Sequence, residues 1–281
     1  MDLFVFLAVL TAAAFHAGWN ALLKLNVEPI VATSLVAAVS GLVAVPVAIL
    51  VGLPNAAAWP YVLASVAIHI LYYLSLAQAY KLGDLGQVYP IARGSAPLMT
   101  AGLATLWLGE TLELYAWAGI VVLAAGILLL ALRGGRVRER FDVRSVGFAL
   151  LTSLTITAYT LVDGLGARLS GSALQYTAWL FVLSGAAMAL YGIVRLGTRL
   201  AGDLVANWRP TLGGAVLSTA AYGIAIWAMT VAPIALVAAL RETSVLFAAL
   251  FSMALLREPV LPARIAAALL VLAGVVLLRL R

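Results

Sequence analysis

Residues 89–110 read YPIARGSAPLMTAGLATLWLGE, and residues 237–258 read VAALRETSVLFAALFSMALLRE. When Arg93 is placed over Arg241, the glutamates that end the two stretches also coincide. Both stretches are apolar and have the length of about 20 residues that a bilayer-spanning helix needs. A charge inside such a helix is costly, so a matched pair of arginines indicates a carrier built from two related halves.

The composition places the rest of the chain in lipid as well. Of the 281 residues, 65% are hydrophobic and 10% are charged, and the mean hydropathy is +1.11. Soluble proteins carry about 25% charged residues. A chain this apolar predicts an all-α membrane protein, and its first apolar run predicts a retained span because it lacks the features of a signal peptide.

The remaining composition excludes several kinds of site. There is no cysteine, and the two histidines, His16 and His69, are too few and too far apart for a metal cluster. The net charge of +6 does not indicate nucleic-acid binding, because the basic residues lie in short connections between apolar runs. No nucleotide-binding GxxxxGK[ST] motif occurs. We therefore expect no metal, no cofactor and no nucleic-acid partner.

Apolar runs of spanning length predict ten transmembrane helices. They cover residues 3–23, 30–52, 59–80, 86–108, 114–132, 146–167, 173–194, 211–231, 235–256 and 262–280. The polar stretch near the middle of the chain predicts a basic linker over residues 133–145. It separates a first five-helix repeat, residues 1–132, from a second, residues 146–281. Because five is odd, two such repeats in series have opposite orientations in the membrane, which is the inverted-repeat architecture of many secondary transporters.

Basic residues in the connections predict the orientation. One face is expected to hold Lys24, Lys81, Arg133, Arg136, Arg138, Arg140, Arg144, Arg195, Arg199, Arg209, Arg257 and Arg264. The other holds only Arg168, Arg279 and Arg281. The first face is therefore predicted to be cytoplasmic, with both termini on the opposite side.

Arg93 and Arg241 are the main candidates for substrate contact. A guanidinium group offers a planar fork of donors that suits carboxylate, phosphate or phosphonate. Two structural interpretations compete with this one. Each arginine could pair with an internal acid such as Asp163 or Glu242, or could extend to the membrane interface.

Other polar groups in the spans are candidates for the same cavity. His16 and Asn20 share a face of the first span, and His16 could carry a coupling proton. Interhelical hydrogen bonding is the alternative for both. Asp163 could bind a cation or a proton, or could neutralise an arginine, and Glu242 could serve either role. Pro90 and Pro97 are expected to break or kink their helix.

Aromatic side chains could line the cavity and stack on a solute. The candidates are Tyr73, Tyr159, Tyr222 and Trp227. Core packing and interfacial belts are the alternative and the more common use of such residues in membrane proteins. Glu110 and Glu258, at the ends of the repeated stretches, are expected to be structural groups at turns.

The paired segments YPIARGSAPLMTAGLATLWLGETL and ALRETSVLFAALFSMALLREPV resemble the EamA family of the drug/metabolite transporter superfamily. The runs that follow them, YAWAGIVVLAAGILLL and PARIAAALLVLAGVVLL, fit its glycine-containing last span. The HAGWN element at 16–20 and the two arginines also resemble a branch associated with phosphonate utilisation. The resemblance implies a ten-helix inverted-repeat carrier with a central cavity, and it transfers no catalytic motif.

Together these features predict a secondary transporter, an exporter or permease, that moves a small polar anionic or zwitterionic metabolite by alternating access. A multidrug or lipophilic-cation efflux carrier is the alternative, because the Asp163 carboxylate within a span could bind a cation. A non-transporting membrane accessory protein and an intramembrane enzyme are the alternatives of other classes, although no acid or histidine cluster favours catalysis. We expect a bacterial or archaeal plasma membrane location, with the lipid bilayer and a small-molecule substrate as partners. A monomer is sufficient, and a dimer is the other option.

Overall fold

The computed structural model of the protein describes residues 1–23, 29–82, 85–133, 143–256 and 262–280. Over these residues the chain forms α-helices, one turn of 3-10 helix at Ala56–Ala58, and no β-strand. The helices are α1 (Leu3–Leu23), α2 (Pro29–Val51), α3 (Trp59–Leu82), α4 (Leu85–Leu108), α5 (Leu114–Arg133), α6 (Val143–Leu169), α7 (Ala173–Leu196), α8 (Arg199–Ala206), α9 (Trp208–Val231), α10 (Ile234–Arg241), α11 (Ser244–Leu256) and α12 (Pro262–Arg279). The all-α prediction is confirmed.

The outer surface is apolar and the interior holds charge. Leu50 and Leu106 on the outside are 85% and 78% exposed, whereas Arg93 and Asp163 are 3% and 0% exposed. This distribution is expected when the surrounding solvent is lipid. Among the described residues, eight stretches are long and apolar enough to span a membrane by length and composition. A shorter apolar stretch covers Leu114–Leu129.

The helices depart from the predicted spans in three places. The span predicted over 235–256 is divided into α10 and α11, and the connection predicted between 194 and 211 contains the short helix α8. The linker predicted over 133–145 is too long at both ends, because Arg133 still belongs to α5 and Val143 begins α6. The middle of that linker lies outside the described residues, as do Lys24 and Glu258.

Four connections lie at one end of the helix bundle. The Asn55 side chain, between α2 and α3, donates to the Leu169 carbonyl at the end of α6 at 3.3 Å. Glu110, between α4 and α5, accepts from the Ile234 N–H at the start of α10 at 2.9 Å. The start of α1 contacts the ends of α9 and α12, which brings both chain ends to the same place. We call this the Glu110 end.

The other end of the bundle carries most of the described basic residues of the connections. Its helix termini and the helix α8 contribute Arg133, Arg144, Arg195, Arg199, Arg209 and Arg264. We call this the arginine-rich end. The sorting of these residues between the two ends agrees with the sequence analysis, which assigned Arg168 and Arg279 to the other face.

α2 and α7 cross at two glycines with reciprocal contacts. A Cβ on Gly41 would lie 3.0 Å from the carbonyl oxygen of Phe181, four residues before Gly185. A Cβ on Gly185 would lie 2.8 Å from the carbonyl oxygen of Ala37, four residues before Gly41. Each glycine thus faces the carbonyl that lies four residues before the other glycine. Such an exchange of equivalent contacts is the pattern of a two-fold interface.

α5 and α12 repeat this pattern with other residues. A Cβ on Gly126 would lie 3.0 Å from the carbonyl oxygen of Ala267, seven residues before Gly274. A Cβ on Gly274 would lie 2.8 Å from the carbonyl oxygen of Gly119, seven residues before Gly126. The two helices run antiparallel, and glycines let their backbones approach closely.

α4 continues through its two prolines. Pro90 and Pro97 both lie inside Leu85–Leu108, so of the predicted break or kink the break does not occur. Because a proline lacks an N–H, position 97 makes no backbone hydrogen bond to the residue four positions back. The interruption in the matching stretch of the second half occurs after Arg241, where no proline is present.

Candidate functional site

A small cavity lies in the interior of the bundle between α4, α6 and α10. It is narrow: about 10 Å³ is open to the centre of a water molecule, which is room for about one water. On α4 the lining positions are spaced i, i+3, i+4 and i+7, so a single face of that helix borders the cavity. The lining residues are Arg93, Ala96, Pro97, Thr100, Ile156, Thr160, Ala238, Arg241 and Glu242.

Both arginines approach the cavity from opposite ends of the bundle. Arg93 is the ninth residue of α4, which starts at the arginine-rich end, and Arg241 is the eighth residue of α10, which starts at the Glu110 end. At a rise of about 1.5 Å per residue, each lies about 12 Å along its helix. Both side chains border the same cavity and are only 3% and 9% exposed, so neither extends to the outer surface of the described structure.

Arg93 is paired with a carboxylate. Its Nε lies 2.8 Å from Oε2 of Glu242, and the two side chains are 4% and 5% exposed. Nη2 of Arg93 also donates to the Ser244 hydroxyl at 3.4 Å. Glu242 thus neutralises Arg93 from the opposite half of the chain. Of the two roles considered for Glu242, binding a cation or proton and neutralising an arginine, the structure shows the second.

The backbone break positions this pair. α10 ends at Arg241 and α11 begins at Ser244. Between them the N–H of Glu242 donates to the Ala239 carbonyl at 3.1 Å, and the next N–H likewise bonds three residues back. Bonds of this kind tighten the helix and end its regular pattern. Helix ends at membrane depth commonly border binding sites.

Arg241 has a different partner. Its guanidinium carbon lies 4.7 Å from the centre of the Tyr222 ring. This is a cation–π interaction, in which the ring face attracts the positive charge. Within the described part of the chain, no carboxylate lies within salt-bridge distance of Arg241. The residue is 9% exposed and borders the cavity. It is therefore a buried cation that faces the cavity without a direct counter-ion in the described structure.

Asp163 lies behind Tyr222 and is fully buried. The Tyr176 hydroxyl donates to its Oδ1 at 2.8 Å, and the Tyr222 hydroxyl donates to its Oδ2. The Ser65 hydroxyl of α3 also lies near this carboxylate. Hydroxyl donors stabilise a buried carboxylate, and here they come from α7 and α9. Tyr222 joins the two charges, because its hydroxyl serves Asp163 and its ring faces Arg241.

Aromatic rings form a cluster beside this network. The His69 ring stacks on Tyr159 with 4.4 Å between centroids, and Tyr222 lies edge-on to Tyr159 at 6.0 Å. Tyr72 connects Tyr73 to the same group, with centroids 5.1 Å from Tyr73 and 5.8 Å from Tyr159. The predicted candidates Tyr73, Tyr159 and Tyr222 are thus brought together.

The remaining candidates are placed less centrally. His16 accepts a hydrogen bond from Trp19 Nε1 on its Nδ1 at 3.2 Å, and the charges of Arg93 and Arg241 both act on its ring. Asn20 donates to the His16 carbonyl of its own helix at 2.8 Å. Trp227 lies apart, because its ring contacts Phe4 at the Glu110 end with 5.8 Å between centroids.

Sequence reasoning missed some lining residues that spacing could have found. Thr100 is seven residues after Arg93, and Thr160 is three residues before Asp163, so each shares a helix face with a predicted residue. Ser244 had no such signal, because it contacts Arg93 only as a result of the break in the helix. The role of Ser65 depends on contacts between α3 and α6 that no local pattern reveals.

Glu110 has a structural role at the end of the bundle. Its carboxylate accepts from the N–H groups of Ile234 at 2.9 Å and Ala235 at 3.2 Å, the first two residues of α10. Nη2 of Arg168 lies 3.1 Å from the same carboxylate. Carboxylates at a helix start satisfy unpaired N–H groups, so the predicted structural interpretation fits Glu110.

Comparison with known proteins identifies the group to which this architecture belongs. The sequence pattern of the EamA-like transporter family matches residues 1–132 and 143–280. The chain belongs to the EamA-like transporter family. Its arrangement of apolar helices around a polar interior is accordingly that of an integral, multi-pass membrane transporter. Transporters are generally not enzymes, in agreement with the prediction.

Two known proteins show how far the similarity extends. A Sinorhizobium sp protein named "Uncharacterized transporter in cobO 3'region" is 44% identical over 59 residues, which is 21% of this chain and 41% of that protein. The matched segment therefore spans about two-fifths of the relative's length. A solved crystal structure superposes with a TM-score of 0.76 over 98% of this chain and 94% of that one, at 18% identity. This second likeness concerns the fold alone.

Proposed function

We propose that the protein is a secondary transporter, an exporter or permease, for a small polar anionic or zwitterionic metabolite. The substrate binds in the central cavity at Arg241. Two inverted five-helix halves, residues 1–132 and 146–281, rock against each other and expose the cavity to each side of the membrane in turn.

The helix arrangement supports this architecture. Both chain ends and four alternate connections lie at the Glu110 end, as an even number of crossings requires. If α10 and α11 together make one crossing, and α8 makes none, the crossings number ten. The reciprocal glycine contacts of α2 with α7 and of α5 with α12 support a two-fold relation between the halves.

One observation supports the anionic substrate most directly. Arg241 is a buried guanidinium group that borders the cavity and lies against the Tyr222 ring, without a salt bridge to any described residue. A buried guanidinium group without a salt bridge offers its N–H donors to an anion in the cavity, and a carboxylate or phosphonate can accept two of them at once. A lipophilic cation is less well supported, because Asp163 is fully buried and is not among the residues that line the cavity.

The cavity draws on residues of both halves of one chain, so we propose that a monomer is the functional unit. We place it in a bacterial or archaeal plasma membrane, which the Sinorhizobium relative supports. The excess of arginine at one end further supports a cytoplasmic location of that end.

The experiment is a thermal-unfolding screen of the purified protein in detergent with carboxylates, phosphonates, organic phosphates, amino acids and lipophilic cations. A ligand that binds only the folded state raises the unfolding midpoint. We expect stabilisation by anions in the wild type and its loss in Arg241→Gln, while Asn55→Ala, a change at the Glu110 end, retains it. Stabilisation by lipophilic cations alone would reject the anion site, and a response of Arg241→Gln equal to the wild type would remove Arg241 from it.

A further inference from the structure

Among the residues that the structure describes, the buried charged side chains balance each other before any substrate binds. Arg93 and Glu242 form a buried ion pair at 2.8 Å and cancel each other. Arg241 and Asp163 carry the other two opposite charges, and Tyr222 stands between them. In a low-dielectric interior a net charge is strongly unfavourable, so this balance matters to whatever binds.

A bound anion disturbs that balance. When a monoanion binds Arg241, the cavity and its surroundings hold one more negative than positive charge. A zwitterion brings its own positive charge, whereas a monoanion brings none. Asp163 would offset the excess by taking up a proton, although it is fully buried with both oxygens bonded to tyrosine hydroxyls. A proton is small enough to reach it.

Polar side chains connect the partly exposed His69 with the surroundings of Asp163. Nδ1 of His69 lies 3.1 Å from the Ser65 hydroxyl oxygen, and that hydroxyl lies near the Asp163 carboxylate. His69 stacks on Tyr159 in the aromatic cluster beside the cavity. Carboxylates and imidazoles in such groupings serve as proton relays in membrane transporters.

We propose that Asp163 is a proton-binding site coupled to the substrate site, so that the transporter carries an organic monoanion together with one proton. Tyr222 is the positioning residue that couples the two sites, since it contacts both Asp163 and Arg241. This inference rests on the proposed function, because it requires that an anion binds at Arg241. It makes transport of the monoanion electrically neutral.

The charged and titratable groups that face Asp163 come from each helix packed around it. They are His69 on α3, Tyr176 on α7, Tyr222 on α9 and Arg241 on α10 behind Tyr222, with Arg93 on α4 offset by Glu242. His69 and Glu242 are therefore the rival proton acceptors, and the experiment must separate them from Asp163.

The test is isothermal titration calorimetry of the detergent-solubilised protein with lactate, benzoate and glutamate, each of which has a net charge of −1 between pH 6 and 8. Titrations in buffers of different ionisation enthalpy give the number of protons taken up per anion. The wild type is expected to take up a proton, approaching one per anion, and to bind more tightly as pH falls, by up to about tenfold per pH unit.

Asp163→Asn imitates the protonated carboxyl group. It is expected to bind the same anion at least as tightly as the wild type at pH 7.5, without proton uptake and without dependence on pH. Tyr222→Phe, which keeps the ring for Arg241 and removes the hydroxyl from Asp163, is expected to bind with altered proton uptake. Asp203→Asn, a control on α8 near the arginine-rich end, is expected to match the wild type.

The other outcomes are distinct. Binding without proton uptake in the wild type would overturn the coupling and leave the proposed function intact. Uptake that persists in Asp163→Asn and disappears in His69→Gln or Glu242→Gln would overturn the assignment of the proton to Asp163. If none of the three anions binds and none of the anion classes in the thermal screen stabilises the protein, the proposed function itself fails.

Discussion

Arg93 and Arg241 occupy matching positions in the sequence repeat, yet only Arg93 lies against a carboxylate in the described structure. The residue after each arginine explains the difference. Glu242 follows Arg241, whereas Gly94 follows Arg93, and a Cβ on Gly94 would lie 3.0 Å from the Leu128 side chain. A side chain at position 94 would have to displace Leu128. Of the two matching positions only 242 carries a glutamate, and it pairs with the arginine of the first half.

This arrangement makes a prediction about stability. Arg93→Gln removes one member of a buried ion pair and leaves Glu242 without its counter-ion, which commonly costs about 3–5 kcal/mol. We expect a marked fall in the unfolding midpoint, measured in detergent by tryptophan fluorescence. The double variant Arg93→Gln/Glu242→Gln is expected to recover most of the loss, because no buried charge is left unpaired. Equal loss in both variants would contradict the ion pair.

The sequence analysis named both arginines, because charges in membrane helices stand out from an apolar background. It also named five groups of the network beside them: Tyr73, Tyr159, Asp163, Tyr222 and Glu242. It could not assign the partner of each arginine. Which arginine pairs with Glu242 depends on the end of α10 at Arg241 and on the close approach of Leu128 to Gly94. Both features arise only when the helices pack together. Trp227 was predicted by residue type alone, and packing places it against Phe4.

At the scale of elements, α10 is the central helix of the structure. All eight of its residues are buried, and its two ends serve different purposes. The C-terminal end presents Arg241 to the cavity, while the N-terminal end is held by Glu110. Glu110 and the cavity therefore lie at the two ends of a single short helix.

The contact between Glu110 and α10 predicts a second effect on stability. Glu110→Ala removes the acceptor of the Ile234 and Ala235 N–H groups together with the ion pair to Arg168. Loss of a helix cap costs about 0.5–2 kcal/mol. We expect a lower unfolding midpoint in the same fluorescence measurement, with Glu110→Gln intermediate because an amide oxygen still accepts.

Glu113 provides the control for this experiment. It lies only three residues further along the chain and is exposed, so Glu113→Ala is expected to leave the unfolding midpoint unchanged. A Glu110→Ala protein as stable as the Glu113→Ala protein would show that the contact with α10 does not contribute to stability.

The sequence also predicted most helices but not the two short ones. The polar residues 241–244, Arg-Glu-Thr-Ser, separate α10 from α11, but the sequence analysis interpreted Arg241 and Glu242 as site residues within one span. α8 was missed because eight residues are too few for a search by membrane-spanning length. Pro90 and Pro97 were expected to break or kink a helix, and α4 continues through both.

For the whole molecule, the structure joins two related halves through two helix pairs with reciprocal glycine contacts, α2 with α7 and α5 with α12. The cavity and its ion pair lie where α4 meets the broken helix, so a relative movement of the halves changes both at once. The sequence predicted this division from a single repeated stretch. The close packing of the two halves depends on glycines of each half that contact the backbone of the other half.

The most direct test of the account is exchange of a labelled anion, found by the thermal screen, across the membrane of proteoliposomes that contain the purified protein. Liposomes preloaded with the unlabelled anion are expected to accumulate the labelled one in the wild type and not in Arg241→Gln, whose folding is checked by its unfolding midpoint. Absence of exchange in the wild type, or equal exchange in well-folded Arg241→Gln protein, would contradict the claim that an anion crosses the membrane through this cavity.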